Sequence, residues 1–242
     1  MKNTKSTILA LTVMSILAGQ AHAQATQERR VQADTTSSAS KQRTNASRHV
    51  SDAIAVVRKL EAEEGAQGLL KGARGVFISP SYGRAALGLG AAGGTGILLV
   101  HRADGSWSDP VFYNTGGLSL GLQAGAQGGA LVLVLNNEKA LNEFFKKNNF
   151  SLNAKAGLTV VNWNKAVQGS AGDGDVLAWS DTKGLFGDLA TVEVNDIRFS
   201  QSLTNAYYNR SLSASDIVQG RTNNPQAQPL VDALAAVTQP AQ

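Results

Sequence analysis

The chain has no cysteine, which excludes a disulfide framework and a lipid-modified N-terminal thiol. Histidine is scarce. His49 and His101 lie in unrelated segments, and a zinc site built on them would need carboxylates with no metal-ligand spacing to support it. A Ser/His/Asp nucleophile would have to use one of the same two imidazoles, and there is no Gly-x-Ser-x-Gly elbow. His49 reads as a solvated helix residue and His101 as a hairpin residue. Asp173-Gly174-Asp175 has the look of a calcium loop, but Leu177 stands where an EF-hand needs Asp or Asn and the closing Glu is missing. A polar turn before a strand is the simpler reading. These gaps argue against an enzyme, a metal protein or a cofactor carrier.

Long apolar runs are also missing beyond the first residues. Lys2 and Lys5, the apolar Ile8–Ala18 and the small residues of Ala21-His22-Ala23 have the layout of a cleaved export signal. Residues 1–23 are expected to be removed, leaving a soluble protein that begins at Gln24, in the periplasm or associated with the envelope. The remaining 219 residues carry 20 basic and 18 acidic side chains, too even a balance to argue for nucleic acid. Basic character is local: residues 24–60 hold Arg29, Arg30, Lys41, Arg43, Arg48, Arg58 and Lys59 against Glu28, Asp34 and Asp52.

What the chain does have is glycine. Twelve of its 25 glycines lie between Gly88 and Gly129, alternating with Leu, Val and Ala. Gly88-x-Gly90-x-x-Gly93 matches a dinucleotide fingerprint on paper, which needs a helix opening at the third glycine. Gly94-Thr95-Gly96 follows instead, and each glycine costs a helix about 1 kcal/mol relative to alanine. Strands whose bare positions let another group pack close are the better reading.

Residues 24–46 are rich in Ser, Thr, Gln and Ala and read as a flexible leader. A helix is predicted over about Ser47–Glu64, with Val50, Ile54, Val57 and Leu60 on one face, followed by a short helical piece over Gln67–Ala73. Extended chain is expected at Gly75–Ile78. A hairpin turning at Asp104-Gly105 should join Ile97–Arg102 to Ser106–Phe112. Gly117–Gln127 alternates as a strand, Leu131–Leu135 as a buried one, and Asn136-Asn137 opens a helix over Glu138–Lys147 with Leu141, Phe144 and Phe145 inward. Further strands are predicted near Ser151–Val161, Asp175–Ser180 and Leu189–Phe199, and helical turns at Thr204–Tyr208 and Ala214–Val218. Residues 221–242 read as a flexible tail with a helical turn or two at Leu230–Val237. Trp107, Trp163 and Trp179 fall in or beside strands, where packing is the usual role and membrane-interface anchoring the sharper one.

Several stretches, in order, resemble the SYLF domain family: Leu69–Pro80 (LLKGARGVFISP), Gly88–Tyr113 with its Trp-Ser-x-Pro, Gly117–Gln127, Val132–Leu141, the Gly-Leu-Phe turn in Lys183–Leu189, and Asn205–Val218 with Tyr-Tyr and Asp-Ile. The resemblance runs over about Val50–Gly220, and the domain is bounded at 47–220. Relatives of this type bind phosphoinositides, with an N-terminal amphipathic helix implicated, and a yeast branch binds actin. An exported bacterial chain meets neither actin nor inositol lipids in its own envelope. The resemblance therefore implies a non-enzymatic module binding anionic phospholipid at an envelope membrane surface. The competing reading is a structural or interaction module that meets a protein partner through its glycine-rich sheet. By position, the family's lipid-contact region falls on Arg48, Arg58, Lys59, Lys71 and Arg74. The expected fold is α+β, a strongly curved and mostly antiparallel glycine-rich sheet approaching a barrel, with flanking helices.

Overall fold

A computed structural model describes residues 37–82, 94–116, 129–169, 174–182 and 194–238. A helix over residues 37–61 (α1) is followed by α2 (Ala66–Lys71), β1 (Gly75–Tyr82), β2 (Gly94–Val100), β3 (Val111–Thr115), β4 (Gly129–Leu135) and α3 (Glu138–Glu143). Then come β5 (Phe150–Leu152), β6 (Val160–Asn162), α4 (Trp163–Val167), β7 (Val176–Ser180), β8 (Val194–Phe199), α5 (Gln201–Tyr208), α6 (Ala214–Val218) and α7 (Gln228–Thr238).

The eight described strands form one sheet in the order β5-β8-β3-β2-β1-β4-β7-β6. Pairing is antiparallel except between β6 and β7. Chain length forces the sheet to curl. If it were flat, β5 and β6 would sit at edges about 34 Å apart, seven strand spacings. Yet residues 153–159 alone join them, and so short a link reaches at most about 28 Å when fully extended. This link is not extended: it holds a 3-10 turn at Ala154–Ala156, capped by the Asn153 side chain, and Gly157 at φ 73°. The same turn splits the single strand predicted over Ser151–Val161 into β5 and β6. The result is an α+β fold whose sheet is nearly closed and flanked by α1–α7.

Curling gives the sheet two unlike faces. Phe77 of β1, Tyr113 of β3 and Phe150 of β5 point inward and meet Phe144 just after α3, and Phe199 of β8 packs on Tyr113, with ring centroids 4.9 to 6.5 Å apart. Gly96 makes room for this cluster, since a Cβ there would lie 1.9 Å from Phe77 Cζ. The buried Tyr113 hydroxyl donates to the Phe144 carbonyl at 2.7 Å. On the outer face, Phe112 packs edge-on against Tyr207 of α5, and Ala46, Val50, Ala53, Val56, Val57 and Leu60 of α1 are buried.

The predicted hairpin is present, with Gly105 at φ 81° and the Asp104 carboxylate accepting from the Ser106 N–H. Trp107, Trp163 and Trp179 are all buried, which is packing and not interface anchoring. Two boundaries differ from expectation. Residues 37–46, read as part of a leader, already belong to α1. In the stretch read as a tail, α7 runs three turns with Leu230, Leu234 and Val237 buried. The Gly117–Gln127 strand, the Gly88–Gly93 fingerprint stretch and residues 1–36 lie outside the described residues.

Candidate binding site: the outer side of the first helix and a cleft at the sheet end

With its apolar stripe against the sheet, α1 turns its polar side outward. Arg48, Arg58 and Lys59 are exposed there. At about 100° per residue, Arg48 and Lys59 lie within about 20° of each other and some 16 Å apart along the helix, with Arg58 about 80° to the side. Asp52 sits on the row between Arg48 and Lys59. Arg48 donates to Asn45 Oδ1 at 3.0 Å, and among the described residues neither Arg48 nor Arg58 has a carboxylate partner. Arg43 is used differently, fastening α1 to α5 through the Ala206 carbonyl (3.3 Å) and Asn209 Oδ1 (2.9 Å).

The five residues assigned to lipid contact fall into two groups. Lys59 reaches Asp181, just beyond β7, at the sheet end where β1 finishes and β4 begins. Arg74 immediately precedes β1 at the opposite end, 3.5 Å from Glu138, and Lys71 closes α2 nearby in sequence. The length of β1, over 20 Å, separates Lys59 from Arg74.

Beside Lys59 the surface opens into a cleft of about 260 Å³, lined on the helix side by Asp52, Ala55, Val56 and Lys59. Its opposite wall is the sheet end: Pro80 and Ser81 of β1, Gly129 and Ala130 of β4, and Asp181. Lys59 Nζ is 2.6 Å from Asp181 Oδ2, while Asp181 Oδ1 accepts from the Ala130 N–H at 2.7 Å. The lysine is 58 % exposed, so solvent holds this pair to under about 1 kcal/mol. Its stronger role is geometric, fixing the ammonium at the mouth of the cleft.

His49 is not the solvated residue expected. It is half-buried, and its Nδ1 has no hydrogen-bond partner among the described residues. Burial holds the imidazole below its ordinary pKa, helped by the Arg48 guanidinium and opposed by Asp52. Among the described residues there is no group of three or more His, Asp or Glu placed to hold a metal ion. No described helix is long and apolar enough to cross a membrane.

Sequence reasoning missed Asp181, 122 positions from its partner Lys59, and gave Asp52 no role. No local signal marks either, because the cleft exists only once β7 and α1 are side by side.

Among the described residues, the Trp-Ser-x-Pro, Tyr-Tyr and Asp-Ile motifs lie in a set of fastening contacts, while the Gly-Leu-Phe turn lies outside the described residues. The Tyr208 hydroxyl donates to the Pro110 carbonyl at 2.8 Å. Asp109 accepts from the Asn224 N–H at 2.9 Å, and Arg102 donates to the carbonyls of Val218 and Ile217. Ser108 accepts the Val100 N–H at 2.9 Å, and Ser213 with Asp216 forms a capping box. Together they bind the β2–β3 hairpin to α5, α6 and the segment leading to α7.

A nearly closed sheet with a cationic helix laid over its outer face, and a charged cleft where the two meet, defines the class as an α+β module. Residues 116–237, half of the chain, match the family Ysc84, described as "Las17-binding protein actin regulator", and the chain belongs to this family, the SYLF domain family. It is 29% identical over 156 residues to "SH3 domain-containing YSC84-like protein 1" of Homo sapiens, covering 62% of this chain and 44% of that protein. The Bos taurus protein of the same name is 28% identical over 153 residues, covering 62% and 45%. "Protein YSC84" of Saccharomyces cerevisiae is 27% identical over 164 residues, covering 66% and 35%. The chain thus spans less than half the length of these relatives.

Proposed function

We infer that this protein is a non-enzymatic module that binds anionic phospholipid at the surface of an envelope membrane, after export directed by residues 1–23. The observation that carries the reading is the outward side of α1. Arg48 and Arg58 stand exposed with no carboxylate partner among the described residues, and Lys59 stands beside them. The apolar stripe of the same helix is committed to the core, so contact is electrostatic and the helix lies on the headgroups without inserting. Lys71 and Arg74, at the far end of the sheet, belong to a second contact or to none.

A protein partner is the competing reading, favoured by the family description, which names binding to a protein and actin regulation. The triple variant Arg48→Gln/Arg58→Gln/Lys59→Gln separates the two. Near an anionic surface each Lys or Arg is worth about 1 kcal/mol, so affinity for phosphatidylglycerol vesicles should drop by about two orders of magnitude. Raising salt to about 0.5 M, where screening acts within a few ångströms, should mimic the variant. Unaltered vesicle binding by a folded triple variant would remove α1 as the contact.

A further inference from the structure

The cleft beside Lys59 differs in charge from the helix side that carries the membrane reading. Its wall holds two carboxylates, Asp52 and Asp181, and one ammonium, Lys59. A simple anion is poorly served by such a set. Asp181 is already engaged on both oxygens, by Lys59 Nζ at 2.6 Å and the Ala130 N–H at 2.7 Å. An ammonium has three donors, so Lys59 keeps donors for a second acceptor. Asp52 has no hydrogen bond or ion pair from its carboxylate among the described residues. It lies two helical turns before Lys59 on the same side of α1, about 10 Å along the axis. Between these opposite charges the wall is Ala55 and Val56 on the helix and Pro80 on β1.

The geometry points to a zwitterionic aminoalkyl phosphate as the cleft's ligand, its phosphate on Lys59 and its primary ammonium on Asp52. The ligand's two methylenes lie against Ala55, Val56 and Pro80. A phosphate and an ammonium two carbons apart can each take one charge-assisted hydrogen bond of about 2.8 Å, and Asp52 and Lys59, two turns apart on one side of α1, both line the cleft. This is the chemistry of free phosphoethanolamine and of the ethanolamine phospholipid headgroup.

The test is an amide chemical-shift titration of the full exported chain with glycerophosphoethanolamine, glycerol 3-phosphate and glycerophosphocholine. The ethanolamine compound should give saturable shifts at residues 52–59, 129–130 and 181. The other two should bind at least tenfold more weakly, one lacking the cation and the other lacking N–H donors. Asp52→Asn and Lys59→Gln should each weaken ethanolamine-ligand binding at least tenfold with unchanged circular dichroism, and Asp52→Glu should retain most of it. Tighter binding of phosphoethanolamine than of its glycerol diester identifies a free ligand. Stronger flotation with ethanolamine-containing than with pure phosphatidylcholine vesicles, lost in Asp52→Asn, identifies the lipid.

Equal binding of glycerol 3-phosphate, an indifferent Asp52→Asn, or no saturable shift overturns the proposal. The anionic-membrane reading is judged separately, because removing the Asp52 charge should strengthen, not weaken, binding to phosphatidylglycerol vesicles.

Discussion

Gly96 shows how a single bare position serves the whole inner face. The ring of Phe77 occupies the space a side chain would take, and that ring is held in turn by Tyr113 and Phe144. Gly96→Ala should therefore cost about 3 kcal/mol in urea unfolding, at the upper end of overpacking costs, because the ring has nowhere to go. Adding Phe77→Leu to Gly96→Ala should recover part of that loss, since the two sites are in contact. An alanine variant as stable as the parent would show that the cluster is looser than its geometry states. Tyr113→Phe leaves the Phe144 carbonyl without its buried donor and should cost about 1–2 kcal/mol. Burial also pushes the Tyr113 and Tyr208 hydroxyls above their ordinary pKa. In the unfolded chain they ionise near pH 10, so the unfolded state loses protons first as pH rises. Stability should be level below about pH 10 on their account and fall above it, more steeply in the parent than in Tyr113→Phe, which keeps Tyr208. Urea midpoints measured between pH 8 and 11 check this.

At the scale of elements, the periodic stretches were legible and the cross-chain fastenings were not. The apolar spacing of Val50, Val57 and Leu60 announces the buried side of α1, although Ile54, on the same predicted face, is only partly buried. Nothing local announces that the helix begins by residue 37. Its polar first turns are held by partners more than 160 residues away, Arg43 to Ala206 and Asn209, and Ser47 to Gln226. A flexible leader could be cut away at no cost, but deleting residues 24–45 removes the two Arg43 contacts and should lower unfolding stability by about 1–2 kcal/mol, two side-chain hydrogen bonds at typical net worth. An unchanged melting temperature would mean that these bonds are replaced by water at no cost. The break between β5 and β6 was hidden because Asn153 and Gly157 sit within an otherwise strand-like run. In α7 the Leu230, Leu234 and Val237 spacing announces a helical turn or two, and the Gln- and Pro-rich residues around it hide the three-turn length and the docking on the core.

For the whole molecule, the strand pattern and the Asp104-Gly105 turn, read together with the SYLF resemblance, carry the expectation of a curled, mostly antiparallel α+β fold. The candidate site was half legible. Arg48, Arg58 and Lys59 emerge together on one helix, whereas Lys71 and Arg74 stand a strand's length away, a separation set by strand direction and not by sequence distance. The cleft needed the fold, since its walls come from α1, β1, β4 and the end of β7. The central claim is that the outer side of α1 meets an anionic membrane surface. Flotation of the chain from Gln24 to Gln242 with phosphatidylglycerol-containing and pure phosphatidylcholine vesicles, at low and at about 0.5 M salt, tests it most directly. The account expects the protein to float with the anionic vesicles at low salt only. Failure to float with them at low salt, or flotation indifferent to lipid charge and salt, would contradict it.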